Sequence, residues 1–324
     1  MHDVKTLQEI FNAHLKEQSF NAQPRELYQP IEYTLALGGK RLRPLLLLMA
    51  RNLYGHEVKD ALDAALAIEV FHNFTLLHDD IMDQAPLRRN KPTVYKKWNT
   101  NIAILSGDVM LVKAYDYLSK TPSKNLVAIL ATFNKAAVQV CEGQQYDMNF
   151  ENRNDVSIDE YIKMIELKTA VLLAASLKLG AIIGNASNDD AEKLYAFGLN
   201  MGIAFQLQDD WLDAFGNENE FGKQKGGDII ANKKTYLLLK AQELASSEIK
   251  TKLSAVMYDN NITATEKVDT VIDCYNEINI ETEIQKQIQY YNQKAIESLN
   301  GISVTRDKLQ IIISLAENLL NRKS

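Results

Sequence analysis

The chain has 324 residues, 46% of them hydrophobic and 24% charged, with a formal net charge of −6. That much apolar material can bury a large core, as one big helical domain or two smaller ones. The acidic balance excludes generalised nucleic-acid binding, so any anion site has to come from a local basic cluster.

Gly (14) and Pro (6) are scarce and alternating β-type runs are hard to find, so the expected fold class is all-α. In chain order, 3.6-residue periodicity predicts helices over 4–16, 26–36 and 43–53. The glycine pair Gly38-Gly39 separates the last two, with Pro44 in the first turn of the new helix. Further helices are expected over 61–82 and 102–118. Thr121-Pro122 reads as a helix start ahead of a segment over 126–143. Ser157-x-x-Glu160 is a capping box opening 159–183, and Ser187-x-x-Asp190 is a weaker relative opening 191–213. A helix over 234–245 and a second capping box, Thr263-x-x-Glu266, complete the pattern. Gly180, Gly184 and Gly198 fall within or beside helices, where close helix approach is the ordinary reason. Residues 1–17 show no signal pattern, and apolar runs such as 44–50 are too short to cross a bilayer. Cys141 and Cys274 lack metal-type spacing and read as core thiols in a reducing compartment. A cytoplasmic protein with no stable membrane insertion is expected. With no linker or low-complexity segment, residues 1–324 are expected to form a single domain.

Two acidic clusters of one form stand out, Asp79-Asp80-Ile81-Met82-Asp83 and Asp209-Asp210-Trp211-Leu212-Asp213, 130 residues apart. Each ends an apolar stretch. On a helix the first and last Asp are i and i+4 and share a face. Carboxylates that close repel unless something compensates. Mg²⁺ is the obvious compensation, because it takes oxygen ligands and binds carboxylates together with substrate phosphates. A solvated acidic face is the plain alternative, and it fits badly with apolar flanks and nearby cations. Those cations are Lys40, Arg41 and Arg43 at a helix start after the glycine pair, Arg88-Arg89 after the first cluster, and Lys223 and Lys233-Lys234 after the second. A helix N-terminus with added positive charge suits a diphosphate. A C-capping glycine followed by a solvated basic turn is the other reading of 38–44. His72 and the Phe and Tyr residues, taken alone, read as core.

With these residues in their order, the chain resembles the trans-isoprenyl diphosphate synthases, or polyprenyl synthetases. The matching segments are Gly38-Gly39-Lys40-Arg41-Leu42-Arg43-Pro44, His72 with Leu77 to Asp83, Arg88-Arg89 with Pro92-Thr93, and Gly107-Asp108. They continue with Gly143-Gln144 and Asp147, Lys168-Thr169, Phe205-Gln206 with Asp209 to Asp213, and Gly222-Lys223 with Gly226 to Asp228 and Lys233. Asn90 departs from the glycine that often follows the paired arginines. The last third carries no matching motif.

The resemblance implies an all-α isoprenoid synthase bundle with a central substrate cavity. It implies condensation of an allylic diphosphate (dimethylallyl, geranyl or farnesyl) with isopentenyl diphosphate, releasing pyrophosphate through an allylic carbocation. Asp79, Asp80, Asp83 and Asp209 would bind Mg²⁺, three ions per active site, with Asp210 and Asp213 supporting. Arg88, Lys168, Gln206, Lys223 and Lys233 would hold the allylic diphosphate, and Gly39, Lys40, Arg43, His72 and Arg89 isopentenyl diphosphate. Lys168 and Thr169 would face the carbocation. A homodimer is implied.

Other classes stay open at this point. A terpene cyclase also ionises prenyl diphosphates, but the basic segment 38–44 fits a second diphosphate. A non-catalytic subunit usually lacks aspartates that are all present here. A di-iron bundle needs a paired Glu-x-x-His signature, which is absent. For product length, Phe74 lies five residues before Asp79, roughly 7.5 Å along a helix, and Phe71 roughly 12 Å. A rigid ring there blocks a further isoprene unit. Thr75 is small where animal-type farnesyl synthases tend to carry a second aromatic. Geranylgeranyl diphosphate is the expected product, with farnesyl diphosphate the alternative.

Overall fold

The structure, a computed structural model, describes residues 1–122, 124–216, 225–259 and 261–320. It is helical almost throughout. The elements are α1 (Val4–Glu17), α2 (Arg25–Ala36), α3 (Leu42–Leu53), α4 (Leu62–Met82), a hairpin of β1 (Leu87–Arg88) and β2 (Lys91–Pro92), and α5 (Val94–Lys97). Then come α6 (Thr100–Ser119), α7 (Leu126–Glu151), α8 (Ile158–Ile165), a π-helical segment (Glu166–Ala170), α9 (Val171–Ile183) and α10 (Asn188–Phe215). The chain continues with α11 (Gly227–Ile230), α12 (Tyr236–Leu244), α13 (Ser247–Tyr258), α14 (Ala264–Glu277), α15 (Ile280–Ser298) and α16 (Arg306–Leu320).

The residues gather into two compact units, each built from three stretches of chain. The first comprises Met1–Lys135, Ala175–Tyr195 and Ile302–Ile312. Its centre is α3, where Leu46, Leu47 and Leu48 are fully buried, each contributing roughly 1.5–3 kcal/mol. Helix α9 reaches α3 through Gly180, where an added Cβ would lie 2.1 Å from the Leu47 carbonyl oxygen. Helix α6 packs on α4 and α2, its buried Ser106 hydroxyl donating to the Leu27 carbonyl at 2.9 Å. The second unit comprises Ala136–Ala174, Ala196–Gly301 and the described part of Ile313–Ser324. Its core runs through Tyr161, Met164, Leu207, Tyr236, Val271, Tyr275 and Ile284.

Both capping boxes form as the sequence predicts: Ser157 with Glu160, and Thr263 with Glu266. At Ser187 only half of one forms. The Asp190 N–H donates to the Ser187 hydroxyl at 3.1 Å, while the Asp190 carboxylate accepts from Ser303 instead.

Four expectations are corrected. Helix α7 begins at Leu126 rather than at Pro122, with the Ile129 N–H donating to the Asn125 carbonyl at 3.0 Å, and it continues to Glu151 rather than ending at 143. The segment 159–183 is not one helix, because the π turn interrupts it. Cys141 is exposed, although Cys274 is buried. Finally, α7 is long and apolar enough to cross a membrane by length and composition, with mean hydropathy 1.2 and 28% of that window buried. Its apolar residues are dispersed among polar ones, so no continuous run announces it.

Candidate active site

In the first unit, the acidic cluster closes α4. Asp79 and Asp80 lie in its last turn and Asp83 caps it, the Asp83 N–H donating to the Asp79 carbonyl at 2.8 Å. Asp80 is buried and Asp83 exposed. Carboxylates at a helix C-terminus oppose its dipole, so they need a cation. Arg88 supplies it, with Nε donating to Asp80 Oδ1 at 2.7 Å and Nη2 lying 3.5 Å from Asp79 Oδ2. Burial still pushes the Asp80 carboxyl up to about 6 against the pull of Arg88.

The β1–β2 hairpin aims both arginines. Leu87 pairs with Pro92 and Arg88 with Lys91. The two residues between have φ of 53° (Arg89) and 59° (Asn90), the positive pair that a type I′ turn requires. Asparagine enters this left-handed region more readily than most residues, so Asn90 can replace the usual glycine. The Arg89 guanidinium donates to the Gly38 carbonyl and covers Gly39, where an added Cβ would come within 2.6 Å of Nη2. Gly39 has φ of 126°, which side chains rarely adopt, so both conformation and contact require glycine.

Behind this turn, Arg43 Nη1 lies 3.1 Å from His72 Nε2. Burial, then Arg43, Arg89, Arg88 and Arg41, hold the His72 imidazole well below 6.5. It is neutral and accepts from Arg43. Burial also lowers Arg43 to about 10, and its Nε has no hydrogen-bond partner among the described residues. Arg41 belongs elsewhere: it is buried, paired with Glu69 and bonded to the Leu35 carbonyl, and Asn73 donates to the same Glu69 carboxylate at 2.7 Å. The expectation that Arg41 adds charge to an anion site is corrected. Lys40 and Gly39 are exposed beside it. One to two turns before Asp79 on α4, Thr75 donates to the His72 carbonyl at 2.8 Å, Phe71 is buried and Phe74 is half-buried.

In the second unit, the acidic cluster lies on α10. Asp210 is buried, accepting from the Tyr161 hydroxyl and, at 3.2 Å, from Gln206 Nε2. Burial, then Asp228, push its carboxyl well above the usual range. Asp209 is half-buried. Asp213 ties down the start of α11: its carboxylate accepts from the Asp228 N–H at 3.0 Å and its carbonyl from the Gly226 N–H at 2.8 Å. Gln206 Oε1 accepts from the Thr169 hydroxyl at 3.3 Å.

Lys168 and Lys233 both reach Asp147 Oδ2, at 2.7 and 3.4 Å. Burial raises the Asp147 carboxyl, but the two ammonium groups outweigh it and the net position is below the usual value. Lys168 and Thr169 stand on the π turn, a wide turn common at functional sites. Two helices press on it. A Cβ at Gly143 of α7 would lie 2.2 Å from the Lys168 backbone nitrogen, and one at Gly202 of α10 would lie 2.6 Å from Ala170 Cα. Lys223 lies outside the described residues. Tyr161 and the partners of Asp147 and Asp228 were not read from the sequence; the Gly143-Gln144 with Asp147 and the Gly226 to Asp228 segments were the available signals.

Among the described residues, no trio of His, Cys, Asp or Glu forms a ready-made metal cage. The donors still fit a hard cation. Both clusters offer carboxylate oxygens, and Mg²⁺ binds through one or two carboxylates plus substrate phosphates and water rather than an all-protein cage.

The family model for polyprenyl synthetase matches residues 24–278, which contain both clusters and all the basic groups above. The chain belongs to the polyprenyl synthetase family. It is a trans-prenyltransferase, and its all-α architecture is that of the polyprenyl synthetases. The family acts on allylic diphosphates and isopentenyl diphosphate and uses a divalent metal to bind diphosphate. The chain is 41% identical over 254 residues to a geranylfarnesyl diphosphate synthase of Natronomonas pharaonis, covering 72% of this chain and 74% of that one. It is 38% identical over 286 residues to a geranylgeranyl diphosphate synthase of Sulfolobus acidocaldarius, covering 87% and 86%. A crystal structure of a geranylgeranyl pyrophosphate synthase matches with a TM-score of 0.94 at 44% identity, covering 100% of each chain.

Proposed function

We propose that this polyprenyl synthetase builds geranylgeranyl diphosphate by successive condensation of allylic diphosphates with isopentenyl diphosphate. The observation that carries the reading is the pair of complete acidic clusters, with Arg88 on the first and with Lys168 and Lys233 gathered on Asp147 in the unit of the second. Asp79, Asp80, Asp83 and Asp209 would hold Mg²⁺, three ions in all, with Asp210 and Asp213 supporting. The metal would neutralise the diphosphate leaving group as the C–O bond breaks. Arg88, Lys168, Gln206 and Lys233 hold the allylic diphosphate, and Lys223 is assigned there by resemblance. The Thr169 hydroxyl and nearby backbone carbonyls face the allylic cation. Arg43, Arg89, Lys40 and the backbone at Gly39 hold isopentenyl diphosphate. Neutral His72 adds no charge of its own and keeps the Arg43 guanidinium oriented. The double bond of isopentenyl diphosphate attacks the cation and a proton is lost. Phe74, with Phe71 behind it and small Thr75 beside it, sets the end of the growing chain.

The chain works as one catalytic domain over 1–324, in the cytoplasm, where its two free cysteines stay reduced. It works as a homodimer. Supporting that, α6 exposes Ile104, Leu105, Val112 and Tyr115 at helical spacing.

Purified protein with Mg²⁺, dimethylallyl diphosphate and isopentenyl diphosphate should release pyrophosphate and yield the twenty-carbon product by mass spectrometry. Asp79→Ala and Asp209→Ala should each lose activity by orders of magnitude with helical circular dichroism intact. Chelation should abolish turnover and added Mg²⁺ restore it. Wild-type turnover in either variant would refute the metal assignment.

A further inference from the structure

We propose that His78 and Gly107 set product length by clamping the Phe74 ring; the proposal rests on the reading of Phe74 as the end-stop. His78 looks at first like one more helix-packing residue beside Asp79. Its surroundings are more specific. Nε2 lies 3.1 Å from the Ile104 carbonyl oxygen, which can only accept, so Nε2 carries the proton and donates. The ring lies against the bare Cα of Gly107 on α6. An added Cβ there would come within 2.3 Å of Nε2 and 2.7 Å of Cδ2, and its three nearest atoms all belong to His78. A glycine is therefore needed for the imidazole to sit where it does.

That imidazole also meets Phe74 in an edge-to-face pair, with centroids 4.8 Å apart and planes at 67°. Phe74 meets Phe71 at 5.6 Å, Phe71 meets Phe133 at 5.1 Å, and Phe133 meets Tyr115 at 5.2 Å. The two inner rungs of this ladder are rigid, because Phe71 and Phe133 are buried and close-packed. Phe74 is the half-buried rung, held on one side by that core and on the other by His78. Without the imidazole, its ring has space to rotate towards Gly107. Such a rotation clears room for a further isoprene unit without any change in the residue at position 74. His78 is thus a positioning residue, acting through Phe74 and not on the diphosphates.

The test is product analysis by mass spectrometry on His78→Ala, His78→Phe and Phe74→Ala, alongside the rate of the first condensation. His78→Ala should raise the ratio of twenty-five- to twenty-carbon product about tenfold, the order expected when an edge-to-face contact is lost. His78→Phe restores a ring at the Phe74 edge and should bring the ratio back towards wild type. The first condensation, which never reaches the end-stop, should change little in both. Gly107→Ala presses the same imidazole towards the Phe74 ring and should shift the product towards shorter chains, which serves if His78→Ala folds poorly. Unchanged products in His78→Ala and Gly107→Ala, with a longer product in Phe74→Ala, would overturn the clamp and leave the end-stop reading intact. A uniform loss of rate in His78→Ala without a change of length would also overturn it. An unchanged product in Phe74→Ala would remove the end-stop and the clamp together.

Discussion

His72 is neutral in the folded chain because burial and four arginines oppose its protonation. In the unfolded chain it protonates near 6.5. Below that pH the unfolded state binds the extra proton and the folded state does not, so stability falls as pH drops through about 6.5 towards the lower folded value. The limiting slope is about 1.4 kcal/mol per pH unit. Urea unfolding of the metal-free protein at about pH 7.5 and pH 5.5 should show this loss, and His72→Gln should flatten it. The same cluster predicts a kinetic split. Arg43→Ala should raise the Michaelis constant for isopentenyl diphosphate at least about tenfold, since a charge-assisted contact is worth roughly 1.5–3 kcal/mol, and barely move that of the allylic substrate. Lys233→Ala should do the reverse; equal shifts for both substrates in both variants would refute the division. The cluster itself was readable only through the resemblance, because His72 alone has the sequence features of a core residue. Arg41 was misread for the opposite reason. Charge at a helix start after a glycine pair suggests an anion site, and its partner Glu69 lies a helix away, where no local pattern points to it.

At the scale of elements, periodicity located most helices, and the capping boxes fixed two starts, because both signals are local. Periodicity failed where the backbone changed pitch. Five residues of π turn inside 159–183 keep an apolar face towards the core, so the pattern reads straight through them. Two glycines let α7 and α10 approach the turn closely. Gly143→Ala would drive a Cβ into the Lys168 backbone, and overpacking of this kind typically costs 1–3 kcal/mol, so a fall in midpoint of about that order is expected on urea unfolding. Because the turn carries Lys168 and Thr169, activity should fall by more than the stability loss explains. Full activity in folded Gly143→Ala protein would show that the turn's geometry is not required.

For the whole molecule, the resemblance implies a homodimer but leaves its interface blank, since an apolar residue's exposure is decided by tertiary packing. The exposed stripe on α6 is the interface that the homodimer reading proposes. Wild-type protein should sediment as a dimer at micromolar concentration, and Val112→Asp, which puts a charge at a position 67% exposed, should shift it to monomer without unfolding it. A wild-type monomer would refute the dimer, and a Val112→Asp dimer would move its interface off α6. The motif-free last third also has a role that no motif could announce. Ser303 bonds Asp190 through its N–H at 3.0 Å and through its hydroxyl, Lys308 reaches the Leu53 carbonyl at 3.3 Å, and 302–312 belongs to the first unit. On the ribosome, the segment that finishes the first unit therefore emerges after most of the second has been made. At typical elongation rates, that interval is on the order of ten seconds or more. Through it, α1 to α4 wait with part of their apolar surface uncovered, so the nascent chain depends on chaperones longest at its N-terminal end.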